Sequence, residues 1–269
     1  MPRTSRASYH NRMGSLSNAE GRQPHRGRRV AFFGGSFDPP HLGHLAVARA
    51  AQAALGLDTV LFAPVGAQPL KPQGSTAAFV HRLAMTRLAT AALPGFAVSL
   101  VDAPNPSGEP NYTLETLLAL RAELPPQSAL FCLMGADAFA SLRCWHRAAE
   151  IPFVAPLIVA SRPGESLDDL QASLPDGLMI EDVPTSDEQA ADRIGLRRYI
   201  LRNSSGGQAP FYLLPGLEIE ISASEIRDQL RIRELQQAAT GGQTPEPALL
   251  PAPVSEYIRA HNLYGIGSA

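Results

Sequence analysis

Short apolar runs alternate along this chain with longer stretches in which apolar positions recur every three or four residues. From Arg29 to Phe33 an apolar run breaks at Gly34-Gly35; Pro39-Pro40 then holds the chain extended, and a helical pattern starts near Gly43 and reaches about Leu55. Thr59 to Val65 reads as a strand, Ala77 to Ala92 as a helix, and Phe96 to Val101 as a third strand. Tyr112 to Glu123, with Leu114, Leu117, Leu118 and Leu120, has helical spacing, and Ala129 to Met134 is again a strand. Ala136 to Glu150 is helical in pattern, and Phe153 to Ala160 is a strand that ends in Ser161-Arg162-Pro163-Gly164. Residues 161–210 are acidic and interrupted by Pro175, Pro184 and a Ser-Ser-Gly-Gly turn at 204–207, so they read as an exposed loop. Phe211 to Leu214 and Leu217 to Ile221 are short strands, and a helix follows from Ser224 to about Gln237. A Pro/Gly-rich linker over Thr240 to Pro253 leads to a final helix near Val254 to His261.

Strands that alternate with helices imply βαβ units and a mostly parallel sheet, and strands apolar throughout imply helices on both faces. The expected architecture is one α/β domain over residues 30–269, with a small C-terminal helical cap over about 224–269. At 269 residues and 45% apolar composition the chain can bury a sizeable core, and with 6% aromatic residues that core is mainly aliphatic. Two cysteines, Cys132 and Cys144, are too few for a disulfide scaffold and read as ordinary buried thiols. No apolar run approaches the length of a membrane span, and the head lacks the apolar segment of a secretory signal, so a cytoplasmic location is expected.

The formal charge of −2 conceals an asymmetry. Residues 1–29 hold seven arginines and only Glu20 as an acid, which reads as a disordered basic extension; the rest of the chain is net acidic and not built to hold a nucleic-acid backbone. Lys71 is the only lysine among 23 basic residues, a prompt to look for a ligand there, since a compact ammonium is not interchangeable with a planar guanidinium.

The densest chemistry is Gly34-Gly35-Ser36-Phe37-Asp38-Pro39-Pro40-His41-Leu42-Gly43-His44. Adjacent glycines at a strand end permit φ > 0 and a cradle of N–H groups for an anion, and the following helix adds its positive end. His41 and His44, three apart, can face one side, where two imidazoles beside a phosphate cradle can donate hydrogen bonds to oxygens gaining charge. The competing readings are a transition-metal pair, with Asp38 or a distant residue as a third ligand, and solvated or capping histidines. A second cluster, Ile221-Ser222-Ala223-Ser224-Glu225-Ile226-Arg227, passes from strand to helix. Ser222 or Ser224 can cap that helix, and Arg227 sits in its first turn, where a cation needs an acid partner or a bound anion. In a parallel sheet the segments after the strands share one edge, so Gly34–His44, Pro64–Lys71, Gly135–Asp137 and Ser222–Arg227 are expected to converge.

These residues resemble the bacterial nicotinate-nucleotide adenylyltransferases, within the nucleotidyltransferases marked by [T/H]xGH. That motif stands as His41-Leu42-Gly43-His44, and the family's second signature as Ile221 to Arg227. Similar too are Pro64 through Pro69-Leu70-Lys71, Arg82 with Met85, Asn111-Tyr112-Thr113-Leu114-Glu115-Thr116-Leu117, Gly135-Ala136-Asp137 through Trp145-His146-Arg147, Arg162-Pro163-Gly164, and the closing Val254…Tyr257-Ile258…His261-Asn262-Leu263-Tyr264. The chain departs from the pattern at Leu70, where a histidine is common, at Asn111, where a serine is common, and in Ile-Ser-Ala-Ser for Ile-Ser-Ser-Thr.

The resemblance implies a Rossmann-like fold and transfer of the adenylyl group of ATP to nicotinic acid mononucleotide, giving nicotinic acid adenine dinucleotide and pyrophosphate, with Mg²⁺. It implies that His41, His44, Lys71, Ser224 and Arg227 contact phosphates, that Asp137 holds ribose, and that Tyr112, Thr113 and Trp145 help form the nicotinate pocket. Gly34, Gly35, Ser36, Phe37, Gly135 and Ser222 complete the expected nucleotide-binding set. No membrane or nucleic-acid partner is expected. The alternatives are an adenylyltransferase for nicotinamide mononucleotide or phosphopantetheine, and a nucleotide-binding module without turnover.

Overall fold

The computed structural model describes residues 27–70, 74–160, 166–182, 195–214, 222–240 and 249–265. Lys71, Arg162-Pro163-Gly164, the strand expected over Leu217 to Ile221 and nearly all of the basic extension lie outside the described residues.

Eight strands form one sheet in the order β3-β2-β1-β4-β5-β8-β7-β6. The parallel part consists of β1 (Arg29–Gly35), β2 (Thr59–Pro64), β3 (Phe96–Val98), β4 (Ala129–Gly135), β5 (Leu157–Ala160) and β8 (Gln208–Leu214). The chain winds outward from β1 to β3 and then returns to lay β4 on the other side of β1, so the order reverses between β1 and β4. That reversal opens a crevice at the carboxyl ends of the two strands, the usual ligand position in a doubly wound sheet.

Side-chain alternation explains the two covering layers. Val30 and Phe32 enter a core with α3 (Thr113–Glu123), α4 (Ala136–Ala140), α5 (Ile151–Val154) and α6 (Leu167–Ser173), through Leu114, Leu117, Phe139, Ile151 and Leu170. Ala31 and Phe33 enter the opposite core with α1 (Leu42–Leu55), α2 (Phe79–Thr90), α7 (Ala223–Thr240) and α8 (Ala252–Ala260), through Leu45, Met85, Ile226, Val254 and Ile258. Helices thus cover both faces of a Rossmann-like sheet, and the C-terminal helices pack on the face that carries α1 and α2.

Three sequence expectations are corrected. The helix read over Ala136 to Glu150 stops at Ala140 and continues as two short 3₁₀ turns, Leu142–Cys144 and Ala148–Glu150, with Arg147 at φ 49° between them. The strand read over Phe153 to Ala160 is shorter: Ile151–Val154 is helical, with Pro152 well suited to a helix's first turn, and β5 starts only at Leu157. Within 161–210, read as a loop, β6 (Leu178–Asp182) and β7 (Arg197–Asn203) extend the sheet antiparallel to β8. Tyr199 and Leu201 face the core from β7, and Ser-Ser-Gly-Gly makes the β7–β8 hairpin turn, with Asn203 Oδ1 accepting from the Gly207 N–H at 2.7 Å. Of the cysteines, Cys132 is buried, its thiol pushed up to about 12 chiefly by desolvation, whereas Cys144 is exposed. Among the described residues no helix is long and apolar enough to cross a membrane.

Asp102, buried in the turn after β3, accepts a hydrogen bond from the Thr116 hydroxyl, yet burial lifts its carboxyl from 3.8 to about 6. A carboxyl with a higher pKa in the folded than in the unfolded chain subtracts from stability as pH rises through that interval. Asp102→Asn is therefore expected to stabilise the protein at pH 7.5 by on the order of 2 kcal/mol. The gain should vanish at pH 4, where the wild-type carboxyl is protonated in the folded chain. Urea unfolding of both proteins at the two pH values checks this, and an equal difference at both would refute it.

Candidate active site

The crevice is floored by the end of β1 and the loop into α1. A Cβ on Gly34 would lie 2.7 Å from the Phe32 ring, and one on Gly35 would lie 3.3 Å from the ring of Phe37. These glycines make room for rings; the left-handed backbone expected of them belongs instead to Phe37, at φ 47°. Such a conformation costs about 1–3 kcal/mol in a residue with a side chain. It is held by a buried ring that meets Phe33 edge-on at 5.6 Å and His44 at 5.0 Å.

Beyond Phe37 the loop is fixed by two buried groups. Asp38, 4% exposed, accepts from the Thr76 N–H at 2.6 Å, from the Ala77 N–H at 3.0 Å and from the Tyr264 hydroxyl at 2.8 Å. Its carboxylate is fully engaged within the fold, which removes it as the third metal ligand. Arg82, 2% exposed, donates to the carbonyls of Ala77 at 3.1 Å, Ser36 at 2.7 Å and Val65 at 2.8 Å, tying the glycine loop to the segment after β2. In the sequence Asp38 stood only as a possible third metal ligand and Arg82 only as part of a motif; burial, which only the fold reveals, assigns both a role in fixing the loop.

His41 and His44 open α1, their ring centroids 3.6 Å apart. The His41 backbone N–H donates to His44 Nδ1 at 3.2 Å, so a neutral His44 carries its proton on Nε2 and offers it outward as a donor. Desolvation brings His41 down to about 4, and desolvation, then the neighbouring His41, puts His44 well below 6.5. Both rings are neutral at pH 7. His41 Nδ1 is buried without a hydrogen-bond partner, a polar atom that a ligand or solvent would satisfy.

The start of α7 meets this loop from the far end of the chain. Ser222 and Glu225 cap the helix reciprocally, Ser222 Oγ accepting from the Glu225 N–H and Glu225 Oε2 accepting from the Ser222 N–H, both at 3.3 Å. With Glu225 turned to the cap, Arg227 donates to the Asp38 carbonyl at 2.7 Å and to Ser224 Oγ at 3.0 Å. The expected convergence of the first loop with Ser222, Ser224 and Arg227 is therefore observed.

On the other side of the crevice, Gly135 ends β4 and Asp137 lies exposed in the first turn of α4. Tyr112 and Thr113 begin α3. Trp145 is partly buried, packs against the core below the sheet and donates from Nε1 to Ser141 Oγ at 3.2 Å. The ring that faces Tyr112 is instead His146, at 4.6 Å, with its Nε2 3.8 Å from Glu115. His146 followed Trp145 in the matched motif but carried no expectation of its own. Asn111 bonds through its side chain to the Ala67 N–H at 3.3 Å and the Ala103 carbonyl at 3.1 Å, joining the segment after β2 to the loop before α3. Gly66 allows that contact, since a Cβ there would lie 2.4 Å from Pro104 Cα.

The depressed histidines give a prediction. Because the folded chain refuses protons that the unfolded chain binds near pH 6.5, stability should fall as pH drops below that value. In the ligand-free protein the His41 and His44 ring resonances are expected to show no titration between pH 8 and about 5 by NMR. A midpoint near 6.5 for either ring would refute the burial argument.

The cytidylyltransferase-like family model matches residues 32–229. A probable nicotinate-nucleotide adenylyltransferase of Gloeobacter violaceus is 35% identical over 240 residues, covering 89% of this chain and 98% of that protein. One of Dechloromonas aromatica is 38% identical over 237 residues, 87% of this chain and 97% of its own. The fold is similar to that of Plasmodium falciparum nicotinic acid mononucleotide adenylyltransferase complexed with NaAD, at a TM-score of 0.58 and 16% identity, over 88% of this chain and 97% of that one. With its strand order, its paired histidines and relatives matched across nearly their full length, the chain belongs to the nicotinate-nucleotide adenylyltransferase family.

Proposed function

We propose that this protein transfers the adenylyl group of ATP to nicotinic acid mononucleotide, releasing pyrophosphate and forming nicotinic acid adenine dinucleotide. The observation that carries the reading is the neutral His41/His44 pair set against a loop whose next carbonyl partner is Arg227. The mononucleotide's phosphate oxygen is already a nucleophile, so no side chain need be activated and no covalent enzyme intermediate is required. The protein's task is to align that oxygen with the α-phosphorus of ATP, opposite the departing pyrophosphate, and to stabilise the charge gathering on the oxygens. In this reading His44 Nε2–H and His41 donate to those oxygens, while Arg227, Ser224 and Lys71 bind the triphosphate. Glycine-loop N–H groups around Gly34, Gly35, Ser36 and Phe37 line the phosphate path.

Mg²⁺ enters as the ATP complex and neutralises the triphosphate oxygens. Among the described residues no cluster of three or more His, Cys, Asp or Glu side chains is arranged to hold a metal. Asp137 is the ribose ligand, and Tyr112, Thr113 and Trp145 border the pyridine ring, with His146 supporting Tyr112.

Two measurements test this. With ATP and Mg²⁺, kcat/KM for the acid mononucleotide should exceed that for the amide by at least about tenfold, because a carboxylate needs only N–H donors where an amide needs an acceptor as well. Pyrophosphate release in parallel assays with the acid, the amide and phosphopantetheine reads the ratio; a ratio of one or less reassigns the acceptor. His44→Ala is expected to lower kcat by roughly 10²-fold or more with little change in KM. A large rise in KM at unchanged kcat would reject the transition-state role.

A further inference from the structure

The closing motif ends on Tyr264, a phenol 2% exposed and 226 positions from its hydrogen-bond partner Asp38. We propose that Tyr264 is a positioning residue for adenylyl transfer: its hydroxyl fixes the Asp38 carboxylate and, through the Asp38 carbonyl, sets Arg227 against the His41/His44 pair. This rests on the reading of Arg227 and the histidines as phosphate-binding groups.

The geometry carries the relay in both directions from Asp38. Tyr264 Oη donates to Asp38 Oδ1 at 2.8 Å, and among the described residues the other donor to that oxygen is the Ala77 N–H at 3.0 Å. Removing the hydroxyl leaves one buried carboxylate oxygen under-satisfied, and such a group turns to find another partner. The peptide that would turn with it holds the carbonyl to which Arg227 donates at 2.7 Å. On the other side Pro39 and Pro40 connect Asp38 to His41, and two fixed φ angles transmit a shift along the chain rather than absorb it. A guanidinium has five donors, so gripping a carbonyl aims Arg227 without exhausting it.

The chain also accepts strain to deliver this phenol. Asn262 and Tyr264 both take left-handed backbone, at φ 49° and 65°, an arrangement that persists only where the surroundings over-determine it. Burial and the adjacent Asp38 charge hold the phenol well above its ordinary pKa, so it remains a donor across the working pH range.

Tyr264→Phe keeps the ring and deletes the donor. It is expected to lower kcat by about 5- to 30-fold, since a small misplacement of catalytic groups has costs of this size. KM for ATP and for the acid mononucleotide should stay within about twofold, the signature of an interaction used in the transition state. In an Arg227→Lys background, where the fork is gone, the same change should cost less than about twofold, because the two residues act through one contact. Val254→Ala, in the buried face of α8, supplies the control: it loosens the helix that leads into the Tyr264 turn without altering a hydrogen bond to Asp38. Asp38→Asn enters the relay from its other end and should give the same kcat loss, which keeps the inference refutable if Tyr264→Phe folds poorly. The inference is overturned by wild-type kcat in Tyr264→Phe, by costs that multiply in full with Arg227→Lys, or by Val254→Ala lowering kcat equally at a matched Tm. An inactive wild type overturns the proposed function and this inference together, whereas an active wild type indifferent to the Phe substitution overturns this inference alone.

Discussion

Asp38 lies almost wholly out of water, and a carboxylate there is tolerated only if its oxygens receive donors that the fold itself delivers. The donors come from three places: the backbone before α2, the last turn of the described chain, and, at the carbonyl, the first turn of α7. Satisfying this one residue, carboxylate and backbone carbonyl together, thus brings α2, α7 and the C-terminal turn onto the same loop. Arg82 adds a second obligation of the same kind, with three carbonyls from three separate segments around one guanidinium. The loop between β1 and α1 therefore has little freedom left before any ligand arrives, and preorganised donors are what transfer chemistry rewards.

The same burial decides the character of the histidine pair. Two imidazolium ions with centroids 3.6 Å apart in a poorly hydrated crevice would repel each other and lose their hydration, so the rings stay neutral. Their contribution is directional: N–H groups aimed by the helix start, with the tautomer of His44 set by the His41 backbone. Formal positive charge is left to groups outside the stack, Arg227 among those described. This division avoids stripping water from adjacent cations while keeping short-range donors on the loop.

How much of this could be read beforehand follows from where each signal resides. The parallel strands were plain in the sequence because strands buried on both faces are apolar throughout, as in Ala129–Gly135, and the paired histidines and Ser222–Arg227 were plain because their spacing is local. The β6–β7 pair was hidden because its strands alternate with arginines and acids and lie beside breakers, so their apolar face is only two or three side chains wide. Phe153 and Val154 misled in the opposite sense, apolar residues read as strand that belong to a helical turn begun at Ile151-Pro152. The roles of Asp38, Arg82 and Tyr264 had no local signal at all, since each depends on partners that the sheet brings from elsewhere in the chain. At glycines 34 and 35 the expected left-handed backbone is absent: they accommodate neighbouring rings, and the unusual backbone angle falls on Phe37.

The bond between residues 38 and 264 has a consequence for how the molecule comes into being. On the ribosome the first strand and its loop emerge early, but a donor that completes the loop is translated more than two hundred residues later. Contacts of such long sequence separation form late in folding, after loop-closure entropy has been met by the rest of the sheet. A chain not yet elongated to Tyr264 can thus build much of the sheet while the loop after the first strand still lacks this donor, so the Asp38 loop is completed by the most distant of its contacts.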